Sequence, residues 1–286
     1  MSEQRRKITI PHLLGMKERG EKISFLTAYD FPTARLEDEA GIEMILVGDS
    51  AAMCMLGHDT TLTITMNEMV TFSRAVTRGA RYAFVVGDMP YMSYQPSDRD
   101  AVLNAGRLLS DGAVDAVKLE GGERMAPRVR AITEAGIPVM GHIGLTPQAH
   151  TQLGGFRSQG RTTDSALQLI RDAVAVEEAG AFSILVEAVP QEIAAAIRER
   201  LSIPVLSIGA GGDCDGQLLI VHDLLGLFEA FTPRFVRRYA NLSQEMTAAF
   251  TRYRDEVRSG HFPGPEHQYP IPAGELEDFR ARVGRG

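Results

Sequence analysis

The sequence predicts an α/β fold, a single (β/α)8 TIM barrel, and three observations carry that expectation. Short apolar runs at residues 44–47, 84–87, 116–119, 139–141 and 184–186 lead into Asp49, Asp88, Glu120, His142 and Glu187. Runs of this kind suit parallel strands buried on both faces. In a barrel, their carboxyl ends all open onto the face where the loops build an active site. The second observation is alternation: segments with helical spacing separate the runs, and glycines 41, 79, 136 and 180 close several of them. The third is length, since 286 residues suit one barrel of about 250 residues with extra N- and C-terminal helical segments.

Taken in order, residues 10–14 open a short helix and residues 23–30 form the first strand. Pro32 starts a helix that Gly41 ends, and the strand at 44–47 follows. A second helix spans 67–78, with Met69, Phe72 and Val76 near helical spacing, and strand three ends at Asp88. Ser97 and Asp98 begin the next helix, which Asp111 and Gly112 end before the fourth strand. Pro127 and Gly136 bracket another. After the fifth strand, residues 144–163 are long for a βα loop and rich in Gly, Gln, Thr and Arg, the profile of a mobile cover over a site. Helices over 164–179 and 190–200 flank the sixth strand, and residues 204–209 make the seventh. The cluster Gly209-Ala210-Gly211-Gly212 reads either as a tight turn or as a backbone anion cradle. The eighth strand falls within 218–223, helices follow over 233–240 and 242–258, and prolines 263, 265, 270 and 272 predict an irregular tail over 262–286. The whole chain, 1–286, reads as one barrel domain.

Composition narrows the function classes. A hydrophobic content of 44% with no apolar run near the ~18 residues of a membrane span implies a sizeable core and no membrane partner. The charged N-terminal stretch leads into no apolar signal segment, so the cytoplasm is expected. Cys54 and Cys214 are too far apart in sequence for a metal-ligand spacing. A net charge of -7 without a basic block argues against nucleic acid and leaves a small molecule as partner.

Asp49, Asp88 and Glu120 suit a hard divalent cation such as Mg2+, which takes oxygen ligands and keeps waters for substrate to displace. Taken singly, such acids are often helix caps; their recurrence at separate strand ends favours a metal site. Asp59, beside His58, is a weaker candidate. Lys118 is the sole lysine after Lys22 in an arginine-rich chain, either by chance or because a compact ammonium is needed against a carboxylate or enolate oxygen. His142, between Gly141 and Gly144, is placed for close approach to a ligand, or is a satisfied core histidine. Glu187 ends an apolar run that would raise its pKa and make it a better base; a buried structural acid is the competing reading.

These residues lie within ordered motifs: Val47-Gly48-Asp49-Ser50, Gly57-His58-Asp59-Thr60-Thr61, Asp88-Met89-Pro90-Tyr91, Val117-Lys118-Leu119-Glu120-Gly121-Gly122, and Gly141-His142-Ile143-Gly144-Leu145-Thr146-Pro147-Gln148. With Gln159-Gly160-Arg161, Glu187-Ala188-Val189-Pro190, Ile208-Gly209-Ala210-Gly211 and Asp215-Gly216-Gln217, the chain closely resembles the ketopantoate hydroxymethyltransferase family over residues 8–267. The resemblance implies hydroxymethyl transfer from 5,10-methylenetetrahydrofolate to 3-methyl-2-oxobutanoate, giving 2-dehydropantoate for pantothenate and coenzyme A synthesis. It implies Asp49 and Asp88 as Mg2+ ligands, with Glu120 in the metal shell directly or through water. Ser50 and Lys118 match substrate-binding positions, His142 an active-site histidine and Glu187 the proton acceptor. It also implies a homo-oligomer, decamers being common in the family.

Two positions depart from the family pattern. Ala51-Ala52 stands where a Leu-Gly pair is usual, and the Ala52 methyl would crowd a tight loop if that position had positive φ. Ala188 replaces a frequent cysteine. A paralogue using another 2-oxoacid therefore stays open. So does a metal-dependent C–C lyase of the phosphoenolpyruvate mutase and isocitrate lyase type, although the lid cysteine motif of those lyases is absent. A Schiff-base aldolase using Lys118 and a catalytically silent binding subunit are the remaining rivals.

Overall fold

The computed structural model describes residues 5–149, 151–152, 155, 157–229 and 231–284. The chain divides into two compact units, Met1–Tyr239 and Ala240–Gly286.

In the first unit eight parallel strands close into a barrel in sequence order. They are β1 (Ile23–Thr27), β2 (Met44–Val47), β3 (Phe84–Asp88), β4 (Ala116–Glu120), β5 (Val139–Gly144), β6 (Ser183–Glu187), β7 (Val205–Ile208) and β8 (Gly216–Leu219). The unit's helices are α1 (Ile10–Arg19), α2 (Phe31–Ala40), α3 (Ala51–Cys54), α4 (Met66–Gly79), α5 (Asp98–Ser110), α6 (Ala126–Glu134), α7 (Thr163–Glu178), α8 (Gln191–Arg200) and α9 (Val221–Leu224). Local chemistry sets their ends. Asp30 caps α2 by accepting from Thr33 N–H, Thr65 and Glu68 form a capping box on α4, and Gly41 ends α2 at φ 93°.

The alternation of side chains along a strand divides the core in two. Met44, Leu46, Phe84, Val86, Ala116, Met140, Leu185, Leu206 and Leu218 point into the barrel, where Leu13 and Met16 of α1 join them. Ile45, Val47, Val85, Val117, Leu119, Val139, Ile184 and Val186 belong to the outer layer against the helices. Both faces are apolar, which is why the strands read as unbroken hydrophobic runs. Burying Leu13 and Met16 stabilises α1 by about 1.5–3 kcal/mol per side chain.

The structure departs from the sequence reading at strand eight and over 233–240, and it resolves the question raised at Ala52. Strand eight begins at Gly216, earlier than 218–223, because the backbone there runs so close to β1 that a Cβ on Gly216 would sit 2.3 Å from Ile23 O. Residues 221–224 turn instead into α9, whose Val221 N–H donates to Thr27 Oγ1 at 3.0 Å. No helix forms over 233–240; Phe235 packs against Gly209, and Tyr239 N–H donates to Leu224 O. Ala52 lies in α3 without positive φ, so its methyl meets no strained turn.

The connection from β7 to β8 carries no helix. Gly209 and Gly211 take φ of 70° and 87° there, and Ala210 N–H donates to Ser207 Oγ at 3.0 Å, consistent with the turn reading of that glycine cluster. Residues 150, 153, 154 and 156 of the expected cover over 144–163 lie outside the described residues.

The second unit contains α10 (Leu242–Ser259) and α11 (Ala273–Val283). The proline-rich tail is therefore not irregular throughout. Residues 262–272 hold one 3-10 turn, but Pro272 precedes the first residue of α11, where a missing N–H costs no helical hydrogen bond; residues 285 and 286 lie outside the described residues. Among the described residues no helix is long and apolar enough to cross a membrane.

Candidate active site

Strand register brings the ionisable residues together. Asp88 of β3 pairs with Lys118 of β4, Glu120 with His142 of β5, and Gly144 with Glu187 of β6. Lys118 and Glu120 are two apart, so both continue the inward column begun by Ala116. Asp49 and Ser50 follow β2 directly. With Leu46, Leu185 and Ile208 below them, these groups line a pocket of about 470 Å3 at the carboxyl ends of the strands. Met53, Ile220, Phe228, Phe231, Pro233 and Phe235 form its apolar mouth.

Two polar chains run across the pocket. In one, Lys118 Nζ lies 2.7 Å from Asp88 Oδ1, and Asp88 Oδ2 accepts from Asp49 N–H at 3.0 Å. In the other, Lys118 Nζ lies 3.2 Å from His142 Nδ1, while His142 Nε2 lies 3.2 Å from Glu187 Oε2. Burial depresses the His142 pKa, and the neighbouring Lys118 charge depresses it further, so the imidazole is neutral at pH 7. An ammonium has only donors, so Nδ1 must accept and the ring proton resides on Nε2, facing Glu187. Gly144 makes that approach possible: its φ is 93°, and a Cβ there would lie 2.3 Å from Glu187 O.

The site holds more acid than base. Burial pushes Asp49 well above the usual carboxylate range, with the charges of Asp88 and Glu120 adding to it. Burial likewise lifts Glu120 to about 7, against the opposing charge of Lys118. Burial disfavours the Lys118 ammonium, but Asp88, Glu120 and Asp49 outweigh it and hold its pKa above the ordinary lysine value. Glu187, whose side chain is 15% exposed, is raised by burial against the opposing influence of His142, whose Nε2 lies 3.2 Å away without an aligned hydrogen bond.

Asp88 Oδ1 is buried without a hydrogen bond, its close neighbour being the ion-paired Lys118. Glu120 Oε2 accepts from Gln148 N–H at 2.9 Å. Among the described residues, no three His, Cys, Asp or Glu side chains are grouped closely enough to hold an ion by themselves.

All seven sequence-predicted residues, Asp49, Ser50, Asp88, Lys118, Glu120, His142 and Glu187, line this one pocket. His58 and Asp59 are exposed and outside its lining. Three neighbours went without a role in the sequence reading. Tyr29 OH lies 2.8 Å from Ser50 Oγ, Tyr94 OH contacts the Glu120 backbone, and Gln148 reaches Asp49. Gln148 stood within a quoted motif, but its contacts span 99 residues of sequence and no local spacing reveals them. Ala188, at φ 49°, is a non-glycine residue held in the left-handed region beside Glu187, the kind of strain that collects at functional sites.

Comparison with known proteins agrees with this geometry. Residues 7–265 match the family described as ketopantoate hydroxymethyltransferase. The 3-methyl-2-oxobutanoate hydroxymethyltransferase of Moorella thermoacetica is 54% identical over 266 residues, covering 93% of this chain and 99% of the relative. That of Alkaliphilus metalliredigens is 55% identical, covering 93% and 94%. Among solved structures, phosphonopyruvate hydrolase in complex with oxalate and Mg2+ superposes with a TM-score of 0.59 at 14% identity, covering 96% of this chain and 97% of that one. 2,3-Dimethylmalate lyase, of the PEP mutase/isocitrate lyase superfamily, gives 0.57 at 15%, covering 96% and 98%; both likenesses are of fold alone. On the extent and identity of the sequence match, the chain is an enzyme of hydroxymethyl transfer and belongs to the ketopantoate hydroxymethyltransferase family.

Proposed function

We propose that this pocket transfers a hydroxymethyl group from 5,10-methylenetetrahydrofolate to 3-methyl-2-oxobutanoate with Mg2+, forming 2-dehydropantoate. The observation that carries the reading is the placement of the Lys118–His142–Glu187 chain beside the Asp49–Asp88 pair in one pocket. A divalent cation fits the donor set. Three buried acids face one lysine, and Mg2+ commonly takes one or two carboxylates and completes its octahedron with water and substrate oxygens. Asp49 and Asp88 would hold it, with Glu120 in the surrounding shell. When bound, Mg2+ supplies Lewis-acid stabilisation of enolate charge worth several kcal/mol.

The chain's own groups do the rest. Ser50, oriented by Tyr29, binds the oxoacid head. Glu187, its pKa raised by burial, takes the C3 proton, with His142 Nε2 placed 3.2 Å from its carboxylate. The Lys118 ammonium, anchored on Asp88, faces the negative oxygen that develops. The nucleophilic carbon then bonds to the methylene carbon of the opened, iminium form of the folate. The carbon–nitrogen bond to tetrahydrofolate breaks, and water supplies the hydroxyl. Phe228, Phe231, Pro233 and Phe235 at the mouth offer apolar surface for a flat pterin.

The test is C3 deuterium exchange of 3-methyl-2-oxobutanoate in D2O with Mg2+, with and without EDTA, followed by methylenetetrahydrofolate and detection of 2-dehydropantoate. Metal-dependent exchange followed by product is expected, and Glu187→Gln should abolish exchange while leaving oxoacid binding intact. Exchange without product would point to another electrophile; no exchange from folded, metal-loaded protein would refute the oxoacid assignment.

The same reading includes a homo-oligomer in the cytoplasm. Met246, Phe250, Tyr253 and Val257 form an exposed apolar stripe along α10 that a subunit contact would cover. Cys54 and Cys214 are free thiols, consistent with a reducing compartment. Sedimentation equilibrium measures the subunit number.

A further inference from the structure

Gln148 belongs to neither the proposed ligands nor the proposed base, yet it contacts two of the three acids of the proposed metal shell, Asp49 and Glu120. Its Nε2 donates to Asp49 Oδ2 at 2.9 Å and to Met89 O at 3.0 Å. Its Oε1 accepts from Tyr94 OH at 2.8 Å and from Gln95 Nε2 at 3.1 Å. The backbone N–H donates to Glu120 Oε2 at 2.9 Å. Both donor sites and both acceptor sites of the buried amide are therefore filled. Met89 O, which can only accept, fixes which end of the amide faces Asp49, because the reversed amide would set its oxygen against a carbonyl and a carboxylate.

Charge explains why an amide stands here. A lysine would neutralise Asp49 and repel a divalent cation, whereas an ionised carboxylate would have no proton to donate and would oppose Asp49 across hydrogen-bond distance. A neutral donor restrains Asp49 without altering the charge balance of the site. Anchored just past β3, through Met89 O, and at the Tyr94–Gln95 segment, it can hold the end of β2 in register with the end of β4.

We propose that Gln148 is a positioning residue for the metal-binding carboxylates, holding Asp49 through its side-chain amide and Glu120 through its backbone N–H. The proposal rests on the metal reading above and adds a determinant of metal affinity that touches neither metal nor substrate. Outer hydrogen-bond partners of this kind typically change metal affinity by about 10–100-fold.

The probe is Mn2+ alone, titrated into the full chain while the signal of free aqueous Mn2+ is followed by electron paramagnetic resonance. Gln148→Met keeps the side-chain length and removes both donors. It should weaken Mn2+ by about 10–100-fold, with thermal unfolding in EDTA close to that of the parent. Tyr94→Phe leaves Gln148 in place but removes one of the two donors to its amide oxygen; it should weaken Mn2+ by a smaller, severalfold factor, and it carries the test if Gln148→Met fails to fold. A merely structural role would lower the unfolding temperature and leave the Mn2+ affinity of the folded protein unchanged. Equal Mn2+ affinity in parent and folded variant would overturn the proposal alone. A parent protein that binds no Mn2+ would overturn the metal reading and this proposal with it.

Discussion

Glu37 provides a quantitative test of how this fold tolerates charge outside the pocket. It lies on the buried face of α2, three residues after Ala34, and is 6% exposed. Its neighbour Asp38 is satisfied, accepting from Tyr82 N–H at 2.9 Å and Ala83 N–H at 2.7 Å. Neither carboxylate oxygen of Glu37 has a hydrogen-bond partner. Burial, with the Asp30 charge adding to it, lifts its pKa from 4.5 to about 9. Between those values the folded chain keeps a proton that the unfolded chain has lost. Stability from this group is therefore fully present below the unfolded value and falls as pH rises toward the folded one. The slope is about 1.4 kcal/mol per pH unit, or roughly 4 kcal/mol between about pH 5.5 and 8.5. That is a large share of the ~5–15 kcal/mol that holds a typical domain folded.

Glu37→Met removes the titrating group and keeps an unbranched side chain in an apolar site. Chemical unfolding of parent and variant across that pH range isolates the effect, because every other titrating group is common to both. The variant's advantage should grow by about 1.4 kcal/mol for each pH unit. Parallel stability curves would mean that Glu37 ionises in the folded protein at its ordinary value, and the argument from burial would fail.

Three further outcomes are expected. Asp88→Ala should weaken Mg2+-dependent binding of 3-methyl-2-oxobutanoate, measured by calorimetry with and without EDTA; binding that stays metal-dependent and equally tight would remove Asp88 from the ligand set. Gly144→Ala places a methyl where φ is 93° and Glu187 O is 2.3 Å away, so it should cost about 1–3 kcal/mol of stability and slow C3 exchange by displacing the base. Asp215→Ala strips Lys17 and Arg198 of a carboxylate lying 2.8 and 2.6 Å from them. It should cost about 3–5 kcal/mol in denaturant unfolding while exchange per folded molecule is unchanged.

The barrel was legible because parallel strands buried on both faces leave a simple trace: apolar runs, an ionisable residue near each end, helices between. Asp49, Asp88, Glu120, His142 and Glu187 were legible for the same reason, since strand ends are where a barrel exposes chemistry, whereas Lys118 stood out by lysine usage and Ser50 came through the family resemblance. Strand eight was misplaced because its start depends on Gly216 meeting Ile23, a contact between chain segments far apart in sequence. The segment at 233–240 has helix-compatible composition, but its side chains are drawn to Gly209 and the pocket mouth, and tertiary packing overrides local propensity. Tyr29, Tyr94 and Gln148 were missed because uncharged polar residues leave no compositional mark until their partners are known.

The period-two rule that packs the barrel also builds its site. Along β4 the inward column reads Ala116, Lys118, Glu120, turning from apolar filler to charge within one step of two residues. Isolated charges at that depth would be expensive, and the register compensates by setting Asp88 beside Lys118 and His142 beside Glu120. The compensation is incomplete, because Asp49, Asp88 and Glu120 face a single ammonium and His142 is held neutral. A pocket arranged for stability alone would balance its charges or replace them with packed apolar groups. The surplus of buried acid is thus the feature that packing does not explain, and the proposed divalent cation with a chelating oxoacid would account for it.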